Sequence, residues 1–190
     1  MKNAIILHGR PSKKGYYDPR RQSQSNSHWI PWLQRQLLLE DILTQTPELP
    51  QAYDPIWEEH RREFERYDVN LKTILVGHSF GGGFLVRWLS EHPEVQVGRV
   101  VLVAPYIDVE QENEHQFFDF KIDKNLVDRT KGLTIFVSDD EDAPEIVSSV
   151  KKLRVKLKNI GYKKFHGYGH FTFHDMKTRK FPELLEECLK

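Results

Sequence analysis

The chain has 190 residues, 38% of them hydrophobic, with 28 basic against 28 acidic side chains. That length supports one domain with a substantial core, and the balanced charge gives no overall field favouring nucleic acid or an anionic membrane. The single cysteine, Cys188, excludes an intramolecular disulfide, and no apolar run approaches a membrane span.

The chain opens on Ala4-Ile5-Ile6-Leu7, an apolar run read as a strand over 2–7 that ends in the sharp turn His8-Gly9-Arg10. A start in a strand leaves no room for a signal peptide, so a cytoplasmic protein is expected. Residues 10–27 form a long polar loop carrying Lys13, Lys14, Tyr16, Tyr17, Arg20 and Arg21. One short basic and aromatic cluster on a neutral protein makes a poor nucleic-acid site, and a mobile flap over a site is the expectation. Helices follow by periodicity at 29–43 and 56–67, with a weak edge strand between them at 46–53.

Thr73-Ile74-Leu75-Val76 reads as a buried strand within 71–76, and Gly82 to Leu89 lie in a helix at 82–91. Between them stands Gly77-His78-Ser79-Phe80-Gly81, a G-x-S-x-G motif in the strand–turn–helix context that makes such a turn a nucleophile elbow. Ser79 is therefore the candidate nucleophile, and His78 beside it is expected to point away from the reaction. The Phe80 N–H, following the serine, is the first expected oxyanion donor. The second is the Arg10 N–H, from the turn after the first strand.

A strand at 99–104 leads into residues 105–131, a cap-like insertion containing Phe117-Phe118-Asp119-Phe120. Tyr106, Phe117 and Phe118 either line an apolar substrate pocket or form the small core of that insertion. The next strand, 133–138, runs into Asp139-Asp140-Glu141-Asp142, where a carboxylate would hold the catalytic histidine in its working tautomer. Asp142 and Glu145 match a capping box for a helix at 145–159, which leaves Asp140 as the preferred acid and Asp142 as the alternative. A last strand at 162–165 precedes His166-Gly167-Tyr168-Gly169-His170-Phe171, and a helix at 181–189 closes the chain. His170 is the candidate general base. His166, His170 and His174 recur every fourth residue, but Gly167 and Gly169 oppose a helix there, so no metal site is expected.

Strands alternating with helices imply parallel pairing with helices on both faces. The expected architecture is a single doubly wound α/β domain over 1–190, with the site at the C-terminal strand ends. The charged helix from Trp57 to Arg66 reads as a solvated face with internal ion pairs. It also offers the surface for a competing reading, a protein-interaction module with negligible turnover.

These residues together resemble the small serine hydrolases related to retinoblastoma-binding protein nine, a compact branch of the α/β-hydrolase superfamily. The resemblance runs through His28-Trp29-Ile30-Pro31-Trp32-Leu33, Trp57, Gly77-His78-Ser79, Ala104-Pro105-Tyr106, the acidic loop after Ser138, and Gly169-His170-Phe171. It implies a reduced α/β-hydrolase fold with about six parallel strands and a Ser-Asp-His hydrolase needing no cofactor. The expected substrate is a small carboxylic ester or amide, cleaved through an acyl-serine intermediate. Asp140-x-x-Ala143-Pro144 is similar to the D-x-x-V-P arrangement around the acid in that superfamily. The long basic first loop departs from the Gly-rich turn of relatives. No Leu-x-Cys-x-Glu segment is present, so binding of pocket proteins does not carry over.

Overall fold

A computed structural model describes residues 2–110 and 116–190. Part of the expected cap-like insertion, residues 111–115, lies outside the described residues. Six parallel strands form one sheet: β1 (Asn3–Leu7), β2 (Leu43–Gln45), β3 (Ile74–His78), β4 (Val100–Val103), β5 (Leu133–Ser138) and β6 (Gly161–Phe165). Their spatial order is β2-β1-β3-β4-β5-β6. Register runs Leu7 opposite Gly77, His78 opposite Val103, and Ser138 opposite Phe165. The central strands β1, β3, β4 and β5 are buried along their whole length. Their continuous apolar runs are what a sheet covered on both faces requires.

The helices are α1 (Lys13–Tyr16), α2 (Ile30–Leu39), α3 (Trp57–Phe64), α4 (Phe80–Glu91), α5 (Pro144–Lys156), α6 (Phe173–Met176) and α7 (Pro182–Cys188). Phe136 of β5 meets Phe181 at the start of α7. Val137, its neighbour with opposite facing, shares a cavity wall with Ile146 and Val150 of α5. Alternate residues of one strand thus serve the two helix layers. Phe64, Phe84 and Trp88 join α3 to α4 by edge-on ring contacts.

Several sequence expectations shift. The edge strand is Leu43–Gln45, directly after α2 rather than at 46–53, because the chain turns at Asp41 with φ 57° and pairs Leu43 beside Asn3. The elbow strand reaches His78, and α4 begins at Phe80, two residues before the expected start. The loop at 10–27 folds as α1 and a 3-10 turn at Gln24–Asn26, fastened to residues 48–53. The Gln24 and Ser25 amides donate to Glu48, and Tyr16 and Tyr17 cluster on Tyr53. The expected capping box of Asp142 and Glu145 is absent. Ala143 is the N-cap of α5, with no side-chain cap, and Pro144 supplies the first turn.

Candidate active site

The order of the strands reverses between β1 and β3, and in open α/β sheets ligands bind at such a switch point, beyond the C-terminal strand ends. Ser79 sits there. Its backbone holds φ 51° and ψ −117°, a conformation costing a non-glycine residue about 1–3 kcal/mol. The surroundings enforce it: the Ser79 N–H donates to Val103 O at 2.8 Å, and Ser79 O accepts from the amides of Gly82 and Tyr106. Two glycines are needed for close approach. A Cβ on Gly77 would lie 2.6 Å from Gly81 O, and one on Gly81 would lie 2.7 Å from Leu7 O and His8 O. The Ser79 side chain makes no cap bond to α4, so its hydroxyl is free for other work.

The turn after β1 passes beside the serine. A Cβ built on Gly9 would stand 3.3 Å from Ser79 Cβ. Arg10, next in the chain, sends its Nε to Tyr53 O at 3.1 Å. His8 is buried, with Nδ1 donating to Gly9 O and Nε2 accepting from the Leu49 amide. Burial lowers its pKa more than the nearby Glu48 raises it. The neutral imidazole pins the turn to the 48–53 segment. Phe80 is the first residue of α4, where helical geometry leaves its N–H without an intrahelical partner.

The acidic loop after β5 and the loop after β6 are stitched together residue by residue. Asp139 pairs with His166 Nδ1 at 2.8 Å and accepts from the Gly167 amide at 3.4 Å. Ser138 Oγ accepts from the Tyr168 amide and donates to Asp140, which also accepts from the Gly169 amide at 2.9 Å. Glu141 Oε2 then lies 2.7 Å from His170 Nδ1. The carboxylate that meets the imidazole is therefore Glu141, and neither the expected Asp140 nor its alternative Asp142. Asp140 spends its carboxylate on Ser138 and Gly169, which hold its pKa below the ordinary value. Asp142 is exposed. Glu141, with its extra methylene, reaches across to the imidazole, and its side chain is only 6% exposed.

His170 is also fixed through its main chain. Its N–H donates to Asp175 Oδ2 at 3.1 Å, and its carbonyl accepts from His78 Nε2 at 2.8 Å. The following carbonyl, of Phe171, accepts from the buried Trp29 indole. His78 is 2% exposed, and among the described residues its Nδ1 has no hydrogen-bond partner. Burial, then the positive charge that His170 or His28 would carry, holds His78 well below its usual pKa. His28 accepts from the Phe173 amide on Nδ1, and its pKa falls to about 4, mainly through burial. His78 thus stays neutral and donates from Nε2. Sequence reasoning placed it beside the reaction but missed this contact, which no local motif encodes.

The aromatic residues of the insertion behave as core. Phe117 and Phe118 are 1% and 6% exposed, and their rings pack on Phe80 and on each other. Phe117 also meets Trp57 and His60. The pocket-lining reading of these two side chains therefore gives way to the packing one, while Tyr106, half-buried, stands edge-on to Phe118. His166 is 95% exposed on its side chain and His174 is exposed on α6. Among the described residues no group of three potential metal ligands converges. No helix there is long and apolar enough to cross a membrane.

The chain is 28% identical over 181 residues to YdeN of Bacillus subtilis, whose name carries a provisional hydrolase assignment. The match covers 90% of this chain and 86% of that one. The crystal structure of the ydeN gene product superposes with a TM-score of 0.79 at 21% identity, covering 98% and 96% of the two chains. A methylesterase protein from Arabidopsis has the same fold at a TM-score of 0.64 and 11% identity, covering 98% of each chain. So does Est1E of Butyrivibrio proteoclasticus with ferulic acid bound, at 0.62 and 14%, covering 100% and 90%. These likenesses give an α/β-hydrolase fold. The serine hydrolase family model matches residues 16–171, most of the chain, and the protein belongs to that family and is a hydrolase.

Proposed function

We propose that the protein cleaves a carboxylic ester of a small substrate through an acyl-serine intermediate, with Ser79 as nucleophile, His170 as general base and Glu141 as the acid. The observation that carries this reading is the buried Glu141 carboxylate on His170 Nδ1, opposite the face needed for a proton transfer. With Nδ1–H committed to Glu141, Nε2 carries the lone pair that accepts the Ser79 proton during attack. The tetrahedral oxyanion would rest on the N–H groups of Phe80 and Arg10. One such donor is worth about a hundred- to a thousandfold in rate. Protonated His170 returns its proton to the leaving alcohol, and a water, deprotonated in turn by His170, releases the acid.

An ester rather than an amide is favoured by analogy with the methylesterase protein and the ferulic acid complex among the structural relatives. The competing reading as an interaction module through α3 has less support. Arg61 pairs with Glu58 and Glu65, and Arg66 with Glu63, so five of the seven charged side chains at 58–66 pair with one another. A fluorophosphonate probe should label the protein, and Ser79→Ala should abolish labelling together with hydrolysis of p-nitrophenyl esters. A folded wild type that neither labels nor turns over any ester in a broad panel would refute the proposal.

A further inference from the structure

The edge of the sheet opposite Ser79 carries a second concave feature. A cavity of about 340 Å³ opens at the N-terminal ends of β1, β3, β4 and β5, beside the end of α7. Ten residues line it: five are Lys2, Lys72, Arg99, Lys131 and Lys190, and none is Asp or Glu. In a chain with 28 basic and 28 acidic side chains, half of one cavity wall is cationic. Glu187, which contacts Arg99 and Lys190 of this cluster, is buried and already shared. It accepts from Thr134 and Lys190, pairs with Lys163, and reaches Arg99 Nη1 only at 3.4 Å. Among the described residues Arg99 Nε has no hydrogen-bond partner. One side-chain carboxylate shared by three cations, only two of them among the five of the pocket, leaves an excess of positive charge that a concave low-dielectric wall focuses.

The floor of the cavity is rigid. The Gly98 amide donates to Thr73 O, the Lys131 amide to Gly98 O, and the Val100 amide to Gly132 O, each at 2.9–3.0 Å. Flexible lysine heads over a fixed backbone, with an arginine at the base, are the donor set that phosphate groups recruit. A flat basic face would suit an anionic membrane, and exposed Leu71 at the rim adds apolar area. The recess favours a small ligand instead, because a lipid surface cannot enter it. We propose that this cavity is a binding site for a small phosphorylated molecule, separate from the hydrolase centre and independent of the ester reading.

Inorganic pyrophosphate is the probe. In a ¹⁵N NMR titration at low salt it should give saturable shifts at Gly98, Lys131 and Gly132, with a Kd of about 1 mM or tighter and none at Ser79 or Phe80. Lys72→Gln combined with Lys131→Gln should raise the Kd at least about tenfold and leave the unfolding temperature unchanged, since both side chains are exposed. Raising the salt should weaken binding steeply. Non-saturating shifts spread over lysines elsewhere, or a double variant that titrates like the wild type, would overturn the proposal. Binding to phosphatidylserine vesicles that pyrophosphate does not displace would also overturn it, and assign the face to a membrane.

Discussion

His170 Nδ1 and Glu141 Oε2 stand 2.7 Å apart, and the three carboxylates around Glu141 in the chain do not reach that imidazole. Geometry thereby sets Glu141 apart from its neighbours as the partner of His170. Glu141→Gln should lower kcat for a p-nitrophenyl ester by on the order of a hundred- to ten-thousandfold, because an amide no longer fixes the tautomer or stabilises the imidazolium. Asp142→Asn should leave the rate within about twofold, its side chain being solvated. Asp140→Asn should fall between, through loosening of the 166–170 loop that it anchors. Steady-state rates for the three variants decide the matter; the largest loss at Asp140 would return the role to that residue.

This pair also marks how far the sequence could be read. The strands, the elbow at Ser79 and the loop bearing His170 follow from apolar periodicity and glycine placement, because burial and tight turns are local constraints. The acid follows from something non-local, the register of β5 against β6, where Ser138 pairs with Phe165. From that register Asp139 meets His166 and Gly167, Asp140 meets Gly169, and Glu141 meets His170. A shift of one position moves the partner of His170 from Glu141 to Asp140. The same limit explains Phe117 and Phe118. An aromatic run reads alike whether it lines a pocket or fills a core, and the contacts with Phe80 decide.

The Nε2–H of His78 on the carbonyl of His170 gives a buried imidazole a positioning role. His78→Leu removes the donor and leaves the His170 carbonyl unmatched. A lost hydrogen bond of about 1–3 kcal/mol should appear as a fall of about ten- to a hundredfold in kcat with KM little changed, since the base is displaced and the substrate contacts are not. His78→Gln keeps an N–H at similar reach and should recover part of the loss. The pair of variants separates positioning from bulk packing: equal losses in both would leave only a packing role.

Acid sensitivity should come first from histidines. Burial holds both His28 and His60 at about 4, whereas an unfolded histidine titrates near 6.5. Between about pH 6.5 and 4 the unfolded chain therefore binds more protons than the folded one. Stability is fully present above the unfolded value and is lost as pH falls through that window. Each such histidine contributes up to about 1.4 kcal/mol per pH unit. His60 is fully buried, with its Nε2 unpartnered among the rings of Phe80 and Phe117. His60→Phe should flatten the fall in urea midpoint between pH 6.5 and 4 relative to wild type, while carboxylates act mainly below that range. Parallel curves for the two proteins would show that His60 does not bury its neutral form.

The backbone of Ser79 makes a prediction that runs against the usual ranking of residues. At most positions glycine is less stable than alanine, because it surrenders more backbone freedom on folding. Ser79 sits at φ 51° and ψ −117°, held by Val103 O on one side and by the amides of Tyr106 and Gly82 on the other. Glycine enters that region without a Cβ clash, whereas alanine retains the clash of serine. Neither substitution costs a helix cap, because the serine makes none. Ser79→Gly should therefore exceed Ser79→Ala in unfolding free energy by about 1 kcal/mol, measured by urea denaturation, while both are inactive. An alanine variant as stable as the glycine one would mean that the elbow stores no strain, and that the serine's exposure at the sheet edge is set by the surrounding contacts alone.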